Sequence, residues 1–334
     1  MDKIKLIEYS KEVGIDIIAV TDSEQLHRIE EYLFNRVENN LVTEFEESEI
    51  SKRINPKEVM SECKSIIVVG VSYNQEYKSK KKVKIKGSLS KSSWGEDYHT
   101  VLHRKMEKLV NRILEDESMN FMIFSDTGPL VDRELAYKSG IGYYGKNCSI
   151  INKDYGSFIF LGYILTDIFI ESDRGNLPSE CGECTLCIDA CPTGALDEFR
   201  LNPKKCISYL TQTKDLIPEE LAREMGIKVY GCDTCQIVCP KNISKLKNLN
   251  PEFIPTETQG MIDIEELIFM TKNDFKEKYG SMSGSWRGKN VLIRNALIAL
   301  ANISYKGNGQ LLDELKSKKS PLLDEYIKRL EDMT

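Results

Sequence analysis

Apolar residues first recur at helical spacing over residues 2–13, where Ile4, Leu6 and Ile7 precede Gly14, a residue that stops helices. Ile15 to Val20 is a short β-branched run that predicts a strand, and Thr21, Asp22 and Ser23 then offer caps for a helix reaching Val37. Ile66 to Tyr73 is apolar at almost every position, which predicts a strand covered on both faces. From about Asp97 to Glu115, the positions Met106, Leu109, Val110, Ile113 and Leu114 carry a helical period and predict an amphipathic helix. Met119 to Phe124 and Phe158 to Leu165 read as further strands. Strands alternating with helices in this way predict an α/β layered unit over residues 1–170.

A cysteine-rich stretch, residues 171–247, follows. Beyond it, Asn248 to Thr258 reads as a proline-bearing linker, and residues 248–334 otherwise read as helical. Four helices are expected there: Ile264 to Met270, Asn273 to Tyr279, Val291 to Ile303 and Leu322 to Leu330. The third, with Leu292, Ala296, Ala299 and Leu300, resembles one unit of a HEAT-type repeat, which cannot bury its own face and must dock on the rest of the chain. The fold class is thus a multidomain α+β or α/β chain with a helical C-terminal segment.

The cysteines change the picture most. Cys181, Cys184, Cys187 and Cys191, followed by Pro192, form C-x2-C-x2-C-x3-C-P, and Cys232, Cys235 and Cys239 with Pro240 repeat part of it. This is the run with which two-cluster ferredoxins hold [4Fe–4S] units, the fourth cysteine of each run crossing to the other cluster. The crossing assigns Cys181, Cys184, Cys187 and Cys239 to one cluster. Cys191, Cys232 and Cys235 go to the other, where Val229 occupies the position of the missing ligand and Cys206 supplies it. Zinc is the competing reading, since C-x-x-C pairs also serve zinc. It needs neither the third cysteine at a spacing of three nor the Cys-Pro endings.

With eight of ten cysteines so claimed, and no apolar core behind Met1, the chain is expected to be reduced and cytoplasmic rather than disulfide-bonded. No apolar run approaches the roughly 20 residues of a membrane helix. The net charge of −6 gives no global sign of nucleic-acid binding, so any such contact must be local. Two basic patches qualify: Lys78 to Lys86, with Lys80, Lys81 and Lys82 at its centre, and Trp286-Arg287-Gly288-Lys289 with Arg294. A lysine run is equally a solvated loop.

Gly140, Gly142 and Gly145 follow a predicted helix, so they fit neither phosphate-loop pattern. They read as a tight backbone loop packed near a ligand. Cys148 just beyond them could pack in the core or face a cofactor, and Cys63 reads as a small packed residue. Asp132, in Asp132-Arg133-Glu134-Leu135-Ala136, is either a surface ion-pair partner or, in an apolar pocket, an acid with a raised pKa; Asp126 and Glu134 are its neighbours in that choice.

Taken as a set, these motifs closely resemble the epoxyqueuosine reductase family. The residues are Arg53-Ile-Asn-Pro56, Trp94-Gly-Glu-Asp-Tyr-His99, Asp132-Arg-Glu-Leu-Ala136, Gly140 to Asn147, the two cysteine runs and Cys206-Ile-Ser-Tyr-Leu-Thr211, with the likeness running from about residue 50 to residue 302. The resemblance implies a cytoplasmic oxidoreductase that removes the epoxide oxygen of epoxyqueuosine at the wobble position of tRNA, using two [4Fe–4S] clusters and cobalamin. It makes the first unit the cobalamin-binding one and Asp132 the proton donor, and puts Arg53, Ser93, Gly156, Asp167 and Asp233 near the corrin. Position 93 is serine where some relatives have cysteine. The D-x-H-x-x-G corrinoid motif is missing, because Leu102 stands where glycine belongs, so cobalamin would bind without a histidine from His27, His99 or His103 on cobalt.

The implied partners are a tRNA anticodon loop and a low-potential electron donor, to a monomeric chain. A corrinoid reductase of a small molecule, of the reductive dehalogenase kind, and a two-cluster electron carrier are the alternatives. An enzyme acting on one base must take it out of its stack, which a loop permits more readily than a duplex.

Overall fold

The computed structural model describes residues 1–79, 82–256, 258–305, 309–318 and 320–332. Lys80 and Lys81 of the lysine run lie outside them; Lys78, Lys82, Lys84 and Lys86 are exposed, and Lys84 pairs with Glu265 at 3.1 Å.

In chain order the strands are β1 (Ile17–Asp22), β2 (Ser65–Ser72), β3 (Lys86–Leu89), β4 (Phe121–Phe124), β5 (Tyr143–Tyr144), β6 (Ile150–Ile151) and β7 (Ile159–Thr166). Four more are short: β8 (Leu196–Asp197), β9 (Arg200–Leu201), β10 (Lys228–Tyr230) and β11 (Met261–Asp263). The first unit is built on a four-stranded sheet in the order β1-β2-β7-β4. Every pairing in it is antiparallel, so this unit is α+β, although helices cover both faces as they do in an α/β layer. The strand β2 is buried at all eight positions. Its Ile67, Val69 and Val71 face the Lys3–Glu12 and Tyr98–Leu114 helices, and its Ile66 and Val68 face the Asp132–Lys138 helix, the two-residue alternation of a strand.

The Tyr98–Leu114 helix follows its sequence pattern. Asp97 caps it by accepting from His99 N at 3.0 Å, and Val101, Leu102, Lys105, Met106, Leu109, Val110 and Ile113 form its buried stripe. The second helix does not follow its expected start. It runs over Glu30–Glu38 after a 3₁₀ turn at His27–Ile29, because the Asp22 side chain binds Glu24 N and Lys138 Nζ instead of capping a helix. The glycine loop also departs from expectation, since a Cβ on Gly140 would meet Arg174 O at 2.4 Å and one on Gly142 would meet Ile151 O at 2.5 Å. These glycines let the chain approach its own backbone rather than a ligand.

The three expected units are knitted together by a second sheet, β10-β3-β11, with one strand from each. The strand β11, just beyond the expected linker, thus returns to pair with β3. Behind this sheet the Lys289–Asn302 helix is buried from Val291 to Leu300 and packs with the Pro321–Glu331 helix. A Gly309–Ser317 helix, not expected from the sequence, lies beside the Pro321–Glu331 helix and the Ile264–Phe269 helix. The helical segment is therefore docked, as a lone repeat unit requires.

Arg294, one of the residues offered above for RNA, is fully buried. Its Nη1 donates to Thr213 O at 2.7 Å and its Nη2 to Leu210 O at 2.7 Å, while Asn295 Nδ2 donates to Thr211 O and Val229 O, each at 2.8 Å. These bonds satisfy carbonyls at the end of the Ile207–Leu210 helix and fasten the helical segment to the cysteine-rich unit. Arg294→Met would leave two buried carbonyls without donors at about 1–3 kcal/mol each. We expect a thermal unfolding midpoint lowered by several degrees; an unchanged midpoint would mean that packing alone holds the segment.

Candidate active site

Both cysteine runs end in single-turn helices, Leu186–Asp189 and Thr234–Ile237, that pack against each other. Within them the thiols fall into two groups. Burial and then the charges of Cys181 and Cys184 raise the Cys239 thiol, and burial followed by Cys239 and Cys181 raises Cys187. Burial, then Cys232 and Cys191, raises Cys206; burial, then Cys206 and Cys232, raises Cys235. Cys239 thus lies within electrostatic reach of Cys181 and Cys184, and Cys206 within reach of Cys191 and Cys232, in line with the expected grouping, while Cys235 feels Cys187 as well as Cys206 and Cys232. Among the described residues no three His, Cys, Asp or Glu side chains converge on a single-ion site.

Cys148 lies between the cysteine groups and the first unit. Burial pushes its thiol up to about 11, Arg133 opposes, and Cys187 and Cys206, one from each group, raise it. Its carbonyl accepts from Arg133 Nη1 at 2.8 Å. Arg133 and Asp126 are surrounded by protein yet open to water, the signature of side chains lining a cavity.

Three acidic residues meet here in three different states. Glu134 is buried and locked: Arg28 Nε donates to its Oε1 at 2.8 Å, Arg28 Nη2 to its Oε2, and Tyr144 Oη to Oε2 at 3.2 Å. Asp126, at a left-handed φ of 59°, accepts from Tyr98 Oη at 2.7 Å and faces His99 Nε2 at 3.5 Å. Desolvation would raise its carboxyl, but the His99 and Tyr98 bonds outweigh this and hold it below the usual carboxylate range. Asp132 has a buried Oδ1 without a hydrogen-bond partner. Burial, and next the charge of Asp126, push it up to about 8. Two neighbouring carboxyls whose environments drive them apart are the arrangement from which acid and base roles are read.

His99 completes the arrangement, and its role was not legible in the sequence. Its Nδ1 lies 2.7 Å from Asp97 Oδ1, so both ring nitrogens face carboxylates. Desolvation opposes its charge, but bonds to Asp126 and Asp97 raise it to about 9. The sequence offered the partial motif Asp97-Tyr98-His99 at the start of a helix, which does not reveal the contact with Asp126.

The remaining expected residues are distributed unevenly. Arg53 pairs with Glu46 at 3.0 Å, beside Arg36 and near Arg133. Asp233 accepts from Ser90 Oγ and Lys91 N, both at 2.7 Å, and Ser93 is buried with its Oγ donating to Ser90 O at 3.0 Å. Gly156 (φ 70°) admits Asn242, whose Oδ1 accepts from Ser157 N at 2.7 Å beside the second cysteine run. Asp167 stands apart: it accepts from Asn120 N and Nδ2 at 2.8 and 2.9 Å at the end of β7 remote from Asp126. A depression of about 480 Å³ at that same remote end, lined by Val59–Glu62 and Met119–Met122, brings no acid–base pair together. Another, of about 450 Å³, lies between Glu44–Glu47 and Thr127–Pro129, on the Arg53 side of the carboxylates.

Residues 180–242 match the model of a 4Fe-4S double cluster binding domain, and residues 53–127 that of epoxyqueuosine reductase QueG. Over 307 residues, 90% of this chain and 80% of the relative, the chain is 42% identical to epoxyqueuosine reductase of Bacillus anthracis. The chain belongs to the epoxyqueuosine reductase family. A solved epoxyqueuosine reductase with an epoxyqueuosine-modified tRNA-Tyr stem loop superposes with a TM-score of 0.93 at 35% identity, covering 99% of this chain and 90% of that one. The Bacillus subtilis family member, whose structure has a catalytic aspartate loop swung out of the active site, gives 0.86 at 33% identity, over 99% and 97%. As a member of this family the chain is an oxidoreductase that binds two [4Fe–4S] clusters. No helix among the described residues is long and apolar enough to cross a membrane.

The grouping of thiols gives a direct test. Anaerobically prepared protein is expected to hold about eight irons per chain, and Cys206→Ala about four. An unaltered iron content in the variant, or zinc in place of iron, would contradict the grouping.

Proposed function

We propose that this chain reduces epoxyqueuosine to queuosine at the wobble position of tRNA, the last step of queuosine formation, with Asp132 as the proton donor. The observation that carries the reading is the buried Asp132 Oδ1 without a hydrogen-bond partner, on a carboxyl that burial and the neighbouring Asp126 push up while Tyr98 and His99 hold Asp126 low. It is supported by the family to which the chain belongs and by the solved relative with its modified stem loop. The proposed division of the chain keeps residues 1–170 as the catalytic unit, 171–247 as the cluster unit and 248–334 as the docked helical segment.

Removing the epoxide oxygen consumes two electrons and two protons, and yields an alkene and water. Cys181, Cys184, Cys187 and Cys239 would hold one cluster, and Cys191, Cys206, Cys232 and Cys235 the other. For cobalamin, Arg53, Ser93, Gly156, Asp167 and Asp233 would border the cofactor, with Asp167 bonded to Asn120 at the end of β7 remote from Asp126. The side chains fit a corrin held without a histidine ligand, because His99 is engaged on both ring nitrogens, and His27 and His103 face Glu30 and Glu107. When bound, the clusters pass electrons singly and the reduced corrin supplies a nucleophile toward a strained epoxide carbon.

The chain's own residues manage the proton. Tyr98 and His99 keep Asp126 ionised, and that negative charge makes ionisation of Asp132 costlier. Asp132 thus retains its proton at neutral pH until negative charge develops on the epoxide oxygen, where a positioned acid lowers the barrier. Glu134 is excluded from the role by its Arg28 clamp. The aspartate loop that swings out in the Bacillus subtilis structure is consistent with an acid that enters the cavity for the reaction.

The test is anaerobic incubation of the cluster- and cobalamin-loaded protein and a reductant with tRNA carrying epoxyqueuosine, followed by nucleoside mass analysis. Loss of one oxygen is expected. Asp132→Asn should keep its clusters and tRNA binding but lose turnover by at least ~100-fold. A surface ion pair is worth only ~0–1 kcal/mol, so a near-normal rate in the variant would return Asp132 to a structural role.

A further inference from the structure

Four segments far apart in sequence meet beside the Arg53 side of the cavity and leave aromatic surface open to water. Trp286 is 55% exposed and Phe45 39% exposed. Their rings stand 5.5 Å apart at 70°, and Tyr209 lies 5.7 Å from Phe45. The Arg287 guanidinium sits 4.9 Å from the Trp286 ring centre and 5.0 Å from that of Phe45.

The group is held firmly from beneath. Arg287 Nε donates to Gln212 O at 2.7 Å, Arg287 pairs with Glu44 at 3.6 Å, and Tyr209 Oη donates to Glu44 Oε2 at 2.9 Å. It is also continuous with the active site. Gln212 Oε1 accepts from Trp286 Nε1 at 3.2 Å and from Tyr230 Oη at 3.2 Å, and Tyr230 lies within electrostatic reach of Asp97 and Asp126. On the other flank Phe45 adjoins Glu46, the partner of Arg53, and the Ser283 hydroxyl just before Trp286 donates to Ser92 O at 3.1 Å.

Large aromatics that remain this exposed while their polar edges are fixed call for an occupant. Rigid aromatic faces with an arginine beside them are what proteins use to hold unpaired bases, because every base has a π-face. The position, at the rim of a cavity that must receive one extracted nucleotide, selects the base next to it as the occupant. We propose that Trp286, backed by Phe45 and Arg287, is a stacking platform for an unpaired base neighbouring the modified nucleotide of the RNA loop. This rests on the function proposed above and adds a binding site to it.

The test uses the cluster-loaded full chain and an RNA stem loop bearing epoxyqueuosine. Trp286→Ala should weaken binding roughly 5- to 100-fold, the worth of one base–aromatic stack, with cluster absorbance unchanged, and Trp286→Phe should recover most of the loss. An abasic site at the stacked neighbour should cost the native protein a similar factor and cost Trp286→Ala nothing further. Unchanged binding in Trp286→Ala, or full additivity with abasic sites at both neighbouring positions, would overturn the platform while native turnover keeps the reductase reading intact. A native protein that neither binds nor reduces the stem loop would sink that reading and the platform with it.

Discussion

The bond on which the catalytic arrangement depends is made by a residue placed between two cluster cysteines. Asp233, flanked by Cys232 and followed after one residue by Cys235, turns its carboxylate away from the thiols and accepts from Ser90 Oγ and Lys91 N. A charge buried at this depth is tolerable only when fully hydrogen-bonded, and here its partners belong to the first unit. The contact therefore couples the position of the second cysteine group to the turn that leads into the Tyr98–Leu114 helix. That helix carries Tyr98 and His99, which hold Asp126, which in turn sets Asp132. Parallel support comes from β10 and β3, paired beside this bond, and from Gly231, whose left-handed φ of 68° and missing side chain let Ser90 approach.

How far the sequence could be read follows from how local each signal is. The double-cluster domain was legible because cluster ligation imposes fixed short spacings, and the assignment of Cys206 rests on a count of ligands. The Tyr98–Leu114 helix and β2 were legible from period and burial. The antiparallel order of the main sheet was not, because pairing is set by contacts across the chain. The short β11, three residues between the expected linker and the next helix, is too brief to show a strand period. Arg294 was misread as an RNA contact because its partners are backbone carbonyls, invisible in a pattern of residue types. Asp167 is assigned to the corrin by resemblance alone, since nothing local to the end of β7, where it accepts from Asn120, signals that role. Trp286 and His99 were visible only as members of motifs, and the contacts of His99 with Asp126 and of Trp286 with Phe45 were not, because each joins residues distant in sequence.

Acid placement is where burial and charge decide the chemistry together. Glu134 is buried and paired, Asp126 is bonded by Tyr98 and faces His99, and Asp132 alone has a buried oxygen with no partner. Burial of an unpaired carboxyl favours its neutral form, and the neighbouring Asp126 charge adds to the effect. Exchange of any one environment for another would leave the cavity without an acid at neutral pH.

The most direct measurement is the pH dependence of single-turnover deoxygenation by pre-reduced enzyme. Asp132 acts in its protonated form, and its carboxyl is raised to about 8, so the rate constant should be level on the acid side and fall as pH rises through about 8. A rate constant that climbs through that range, or begins to fall only near the ordinary carboxylate pKa of about 4, would contradict a buried, protonated Asp132 as the donor.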